Sequence, residues 1–348
     1  MQADRLLCPV LTLRHLAYLS EVNYRLLRNV VTRSEPAAYR VFKIKKRALV
    51  AGKVRYRTIC VPIPPLQRAQ TWIAQNILAH AKPHSASTAY SKGNSIREAA
   101  MPHCGSTWLI KLDLENFFES ISEISVYRVF RQLGYQPLPS FEMTRICTRS
   151  VPKSRWTRYR SEKRLYTIEQ YDSRLIGSLP QGAPTSPMLS NLAMFQLDEA
   201  ISSITFKWGL RYTRYADDIS ISTHGTFDKP SARAVICEVY KVITQYGLAP
   251  NRSKAAILGP GSRRIVVGLL VDGDTPRLSR KFKASLRLHL YYLTHPKIGP
   301  AAHARNRGFE AVAGLRHHIG GLIAYAQHIE PDYARERWME FNSVSWPI

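Results

Sequence analysis

The 348-residue chain carries 50 Lys and Arg against 25 Asp and Glu, a formal net charge of +25, and 45% of it is hydrophobic. That apolar share and length support a buried core in two or three subdomains, and basic residues dispersed among folded-looking segments fit this better than a disordered basic tail. The surplus charge, interleaved with 18 Tyr, 11 Phe and 6 Trp, points to a polyanion met by phosphate contacts and base stacking, and puts nucleic acid ahead of a membrane surface.

The cysteines at 8, 60, 104, 147 and 237 are too far apart for a zinc knuckle or a redox dithiol, so a reduced, cytoplasmic setting is expected. The N-terminal stretch is interrupted by Asp4, Arg5 and Arg14, and no run of about 18 apolar residues occurs, so neither a signal peptide nor a membrane span is expected.

In chain order, residues 13–30 read as one short amphipathic helix. "YRVFKIKKRALVAGKVRYRTICVP" alternates apolar and basic residues around Gly52, the pattern of a basic β-hairpin. "PLQRAQTWIAQNILAH" reads as helix, and the Ser/Gly/Pro-rich segment up to residue 106 as loop with a little helix. "TWLIKLDL" is a buried strand, and a helix runs from Ser122 to near Gly134. Residues 149–178 form a strongly basic insertion. Ser186 and Pro187 predict a helix cap and first helical residue, with Leu189, Leu192, Ala193, Leu197 and Ala200 on one face. Strands flank Asp217 and Asp218, a helix covers about 231–246 before Gly247, and "RRIVVGLLVD" predicts the next strand. The order β, α, α, β, β, α, β over 108–271 suits a split βαβ, ferredoxin-like sheet. From 278 the chain is basic and helical.

Adjacent acids repel unless a cation or water screens them, and a solvated hairpin tip is the plain reading of Asp217–Asp218. Asp113 ends an apolar strand, where an unpaired charge is expensive; the plain alternative is a cap for the following helix. Brought beside the turn, Asp113 and Asp217 could hold two Mg²⁺ about 4 Å apart, the arrangement for in-line phosphoryl displacement.

"TRYADD" resembles the YxDD box of reverse transcriptases, "LDLENFF" their first catalytic aspartate block, and "LPQGAPTSPMLSNL" the nucleotide-pocket block between them. "SKGNSIREAAMPHCGSTWLIKLDLENFFESI", "GLAPNRSKAAI" and "RRIVVGLLV" are similar to blocks of bacterial retron reverse transcriptases, with the likeness covering roughly residues 40–275.

The resemblance implies an α+β, right-hand polymerase fold: an N-terminal helix and fingers over 1–107, a ferredoxin-like palm over 108–275 with the basic fingers-side insertion, and a helical thumb over 276–348. It implies Asp113, Asp217 and Asp218 as catalytic metal ligands for two Mg²⁺, with Asp218 the weaker, and Lys254 as the acid that protonates pyrophosphate. Lys254 as an ordinary surface lysine stays open. Phe118 matches a steric gate against a ribose 2′-OH, although a core aromatic beside Phe117 serves the sequence equally. Gln181 and Gly182 match the residues lining the incoming base and sugar. Arg57, with Arg55 and Lys53, matches the fingers clamp on the triphosphate. His103 and the other histidines show no ligand spacing.

The family also implies dNTP substrates, a dedicated structured noncoding RNA as template and primer, a branched RNA/DNA hybrid product, and an effector protein in defence against phage. Chain length favours retron enzymes over group II intron-like ones; those and diversity-generating enzymes are the runners-up. A noncatalytic RNA-binding scaffold would need no acidic trio, and a nucleotidyl cyclase would leave the "QG…SP" block unexplained. Two departures stand out: Ala99 and Ala100 where retron enzymes commonly carry Asn-Ala, and Val266-Val267-Gly268 where they carry Val-Thr-Gly.

Overall fold

The structure is a computed structural model that describes residues 8–35, 37–45, 56–91, 93–150 and 176–347. Lys53, Arg55 and most of the basic insertion lie outside the described residues. In chain order the elements are α1 (Leu13–Leu19), α2 (Tyr24–Val31), β1 (Tyr39–Lys45), β2 (Tyr56–Pro62), α3 (Pro64–Asn76), α4 (Ile96–Ala100), β3 (Trp108–Asp113), α5 (Phe117–Ser120), α6 (Glu123–Gln132) and α7 (Pro137–Cys147). There follow α8 (Ser186–Ala193), α9 (Phe195–Lys207), β4 (Arg211–Tyr215), β5 (Asp218–Thr223), α10 (Lys229–Gln245), β6 (Ala256–Leu258), β7 (Ile265–Val266), β8 (Leu269–Leu270), α11 (Arg280–Thr294), α12 (Gly299–Asn306), α13 (Val312–Ile329) and α14 (Pro331–Asn342). They make two compact units, one of Met1–Ser95, Ile110–Ile221 and Phe227–Ile257, the other of Ile96–Leu109, Ser222–Thr226 and Leu258–Ile348.

In the first unit, β1 and β2 form the expected antiparallel hairpin, in register from Tyr39 opposite Pro62 to Lys45 opposite Tyr56. The four-stranded sheet has the order β4-β5-β3-β6, which numbers 2-3-1-4 by sequence and is the ferredoxin-like arrangement. Its core joins Ile110 and Leu112 of β3 to Val126 and Phe130 of α6, Leu189 and Leu192 of α8, and Val235 and Val239 of α10. Ser122 caps α6 by accepting from Ser125 N, and Asp228 caps α10 by accepting from Ser231 N. Gly247, at φ 79°, follows the end of α10, where a left-handed residue costs glycine least.

Three local expectations need correction. The single helix over 13–30 is two, because Glu21 takes a left-handed φ of 54° and Asn23 restarts the chain as the cap of α2, accepting from Arg25 N and Leu26 N. The cap of α8 is Thr185 rather than Ser186, whose hydroxyl instead donates to Pro180 O at 2.7 Å. "RRIVVGLLVD" is no strand of the four-stranded sheet; β6 takes that place. It folds as the β7–β8 hairpin, turned by Val267 (φ 48°) and Gly268 (φ 85°), two positive φ values in succession as a two-residue type I′ turn requires.

The second unit has its own core, built from Leu286, Leu290 and Leu293 of α11 and Leu315, Ile319 and Ile323 of α13. Ser279 caps α11, and Glu330 ties the helices by accepting from Leu278 N and pairing with Lys283. His103 is buried here, with Nδ1 2.7 Å from Ser222 Oγ, as a core histidine. All five cysteines are free. Among the described residues, no helix is long and apolar enough to cross a membrane.

Candidate active site

Strand β3 is buried through Leu109, Ile110 and Leu112 and ends on Asp113, which is itself only 6% exposed. A carboxylate so placed needs partners, and it has two. Oδ1 accepts from Asn251 Nδ2 at 2.8 Å and Oδ2 from Lys254 Nζ at 2.7 Å. The backbone joins in, Asn251 N donating to Asp113 O at 2.7 Å. The helix-cap reading of Asp113 therefore falls: α5 begins four residues later, behind Asn116 in the left-handed region.

Hydrogen bonds from Leu114 N to Asp217 O (3.1 Å) and from Thr107 N to Thr223 O (2.9 Å) bracket β3 against β5 and set them antiparallel. The pairing delivers the end of β3 to the turn between β4 and β5, so Asp113 and Asp217 become neighbours although 104 residues part them. Burial pushes the Asp217 carboxyl above the usual aspartate range, and the charges of Asp113 and Asp218 add to it, while Lys254 and a backbone hydrogen bond oppose the rise.

Among the described residues, no three His, Cys, Asp or Glu side chains stand as a ready metal site. Asp113 already has a partner on each oxygen, Asn251 on Oδ1 and Lys254 on Oδ2. The donor chemistry nonetheless fits a hard divalent cation. Asp113 and Asp217 are oxygen donors whose mutual repulsion a cation would relieve, and Asp218 adds a third negative charge beside them.

The turn is held from below. Ala216 takes φ 56°, costly for a residue with a side chain, and its carbonyl accepts from Arg214 Nη1 at 3.0 Å. Arg214 is fully buried and forks onto Asp198 of α9, Nε to Oδ1 at 2.7 Å and Nη2 to Oδ2 at 2.6 Å. Nη2 also reaches Ser87 Oγ, and Tyr212 donates to Asp198 Oδ1. Burial would lower the Arg214 pKa, but Asp198 outweighs it and raises it.

The remaining expected residues lie around the loop before α8. Gly182 has φ 111°, and a Cβ there would meet Ile59 Cγ2 at 3.0 Å and Cys60 O at 3.3 Å, so β2 and this loop touch as only glycine allows. Gln181 O accepts from Cys60 N at 2.8 Å, which docks the loop on the hairpin strand that carries exposed Arg57. Phe118 is half-buried and meets the ring of buried Phe117 edge-on at 5.4 Å, so it touches the core without being enclosed by it.

Sequence reasoning passed over Asn251, Arg214, Asp198 and Tyr90. Tyr90 sits in the left-handed region with its ring 6.2 Å from Tyr215. Burial raises its phenol pKa, Asp217 raises it further and Arg57 lowers it, so one phenol senses both the acidic turn and the hairpin arginine. Asn251 and Arg214 stand inside the quoted blocks "NRSKA" and "TRYADD", and Asp198 interrupts the apolar face of α9 between Leu197 and Ile201; those were the available signals.

The reverse transcriptase (RNA-dependent DNA polymerase) family profile matches residues 44–269. The chain is 30% identical over 298 residues to the retron Ec86 reverse transcriptase of Escherichia coli, covering 85% of this chain and 83% of that protein. It is 27% identical over 307 residues to the retron Ec83 reverse transcriptase of the same organism, covering 88% of each. The match to the retron Mx162 reverse transcriptase of Myxococcus xanthus is 28% over 255 residues, covering 70% of this chain and about half (51%) of that protein. A profile over most of the chain, near-full-length relatives and the ferredoxin-like strand order lead to one conclusion: the chain belongs to the reverse transcriptases, of bacterial retron type, and is an RNA-directed DNA polymerase with the right-hand polymerase fold.

Proposed function

We propose that this polymerase copies a dedicated, structured noncoding RNA, starting from an internal 2′-OH of that RNA, into a branched, RNA-linked single-stranded DNA. In this reading the β1–β2 hairpin belongs to the fingers, the four-stranded sheet to the palm and α11–α14 to the thumb. Cytoplasmic action in defence against phage, alongside an effector protein, completes the proposal.

The dedicated template is supported by the likeness to retron reverse transcriptases, and the site by the Leu114 N to Asp217 O hydrogen bond together with the charge of Asp113 acting on Asp217. Asp113 and Asp217, with Asp218 beside them, would hold two Mg²⁺, which when bound neutralise charge on the entering and leaving oxygens. Arg57, with Arg55, fastens the triphosphate, while Gln181 and Gly182 line the base and sugar and Phe118 excludes a 2′-OH from the incoming dNTP. Lys254, released from Asp113, donates the proton that the leaving pyrophosphate takes up.

Purification from the native host followed by sequencing of the copurified nucleic acid tests the template. One abundant transcript bearing a short branched DNA is expected, whereas random cellular RNA would refute a dedicated template. For the site, Asp217→Asn abolishes dNTP incorporation in primer extension and leaves RNA retention unchanged; full activity in that variant ends the assignment.

A further inference from the structure

Asn251 is the buried partner of Asp113, and no step of the proposed reaction uses it. It is 5% exposed and immediately precedes a single 3₁₀ turn, Arg252–Lys254. An asparagine at that position ordinarily turns its side-chain oxygen onto backbone N–H groups of the turn it precedes. Here the side chain caps nothing. Its amide is engaged elsewhere, Nδ2 donating to Asp113 Oδ1 at 2.8 Å and Oδ1 accepting from Ser253 Oγ at 2.8 Å. Because a carboxylate only accepts, the amide has one workable orientation, nitrogen toward Asp113 and oxygen toward Ser253.

This contact is not needed to hold the segment in place. Backbone bonds do that: Asn251 N donates to Asp113 O at 2.7 Å, Glu115 N donates to Ala249 O at 2.8 Å, and Leu114 and Pro250 form an antiparallel bridge. With the main chain fixed on both sides of Asp113, the side-chain bond adds one thing, the direction of the carboxylate.

The same turn supplies both partners of that carboxylate, Lys254 N donating to Asn251 O at 3.1 Å. The two partners differ in kind. Lys254 is a cation on a side chain 56% exposed, free to leave Oδ2 for solvent. Asn251 is enclosed and anchored at both ends of its amide, so it stays on Oδ1. A neutral donor also orients the carboxylate without cancelling its charge, which a second lysine would do. The ammonium on Oδ2 marks the oxygen that accepts a positive charge, and the amide on Oδ1 keeps that oxygen turned outward.

We propose that Asn251 is a positioning residue for the polymerase reaction: it holds the Asp113 carboxylate in one orientation and leaves Oδ2 for a divalent cation once Lys254 departs. The inference rests on the reading of Asp113 as a metal ligand. A group one hydrogen bond behind a ligand sets metal affinity by fixing the ligand's direction, and losing it typically costs about 10- to 100-fold.

The test uses the full chain without RNA or nucleotide and Mn²⁺ as the probe, with free Mn²⁺ read by electron paramagnetic resonance. Binding that Asp113→Asn removes defines the site. Asn251→Ala is expected to raise the Mn²⁺ dissociation constant there about tenfold or more, in protein shown by circular dichroism to be folded at the assay temperature. Ser253→Ala, an exposed change that frees only the far end of the amide, raises it severalfold and carries the comparison where Asn251→Ala is unfolded. In primer extension Asn251→Ala needs about tenfold more Mg²⁺ for half-maximal rate and recovers most of its turnover at saturation, a split that a merely destabilised fold does not produce. Unchanged Mn²⁺ affinity in the folded variants overturns the role of Asn251 and leaves Asp113 as a ligand. Absence of any binding that Asp113→Asn removes overturns the metal reading and this inference together.

Discussion

Lys254 Nζ and Asp113 Oδ2 form an ion pair at 2.7 Å, joining a side chain that is 56% exposed to one that is 8% exposed. The lysine can swing into solvent at little cost, whereas the aspartate cannot, so a cation arriving at Asp113 competes with an ammonium already there. If Asp113 holds Mg²⁺ and Lys254 is the proton donor proposed above, Lys254→Gln lowers the Mg²⁺ concentration for half-maximal activity severalfold while cutting turnover about 100-fold. Primer extension over a Mg²⁺ titration separates the two effects. Unchanged turnover at saturating Mg²⁺ removes Lys254 from the acid role.

Arg214 and Asp198 form a different kind of pair, sealed from solvent at both ends. Removing one partner strands the other charge in the core, which costs about 3–5 kcal/mol. Arg214→Ala should lose that much in urea unfolding and release the Ala216 carbonyl. Arg214→Met/Asp198→Leu should regain most of the stability, yet remain slow in primer extension because the turn has lost its anchor.

Asp217 is expected to destabilise the metal-free protein. Its folded pKa is raised, so at pH 7 the folded state carries a carboxylate that the unfolded state holds more easily. In EDTA, Asp217→Asn should melt higher than the parent at pH 7. That advantage should shrink as pH falls through the raised pKa, where the parent carboxyl is protonated, and also shrink when Mg²⁺ is added. Differential scanning fluorimetry across pH checks both trends.

Phe118 rests on Phe117 with part of its ring uncovered. If that ring stands under the sugar, Phe118→Ala raises kcat/KM for ribonucleotides relative to deoxynucleotides by about 10-fold or more, because a bulk-based exclusion is lifted. Unchanged discrimination with a large loss of stability would return Phe118 to the core.

His289 and His303, in contact through Nδ1 and Nε2 at 2.9 Å, give the protein an acid-side weakness. His289 titrates at about 4 when folded and near 6.5 when unfolded, so the unfolded state binds more protons between those values. Stability from this residue is complete above pH 6.5 and is lost as pH falls toward 4. Chemical denaturation at pH 7.5, 6 and 5 should show the decline, and His289→Gln should flatten it.

Much of this architecture is local and could be read in the chain. Alternation in "YRVFKIK" and "YRTICVP" makes a hairpin, and Ser122 before α6 and Gly247 after α10 punctuate helices through their own backbone preferences. The division of "RRIVVGLLVD" was not legible, because a Val in the left-handed region runs against β-branched preference and is tolerated only inside its hairpin.

Sequence alone determined which residue types stand where: the acids at 113, 217 and 218, the "PQG" turn, the basic surface and the order of the elements. These follow from side-chain chemistry and short-range periodicity. Tertiary structure decided what each polar atom meets. Asn251 and Lys254 reach Asp113 from 138 and 141 residues away, and Arg214 meets Ser87 across 127. A buried charge must find its partner wherever packing brings one, and no local pattern encodes which distant lone pair will be left to hold it.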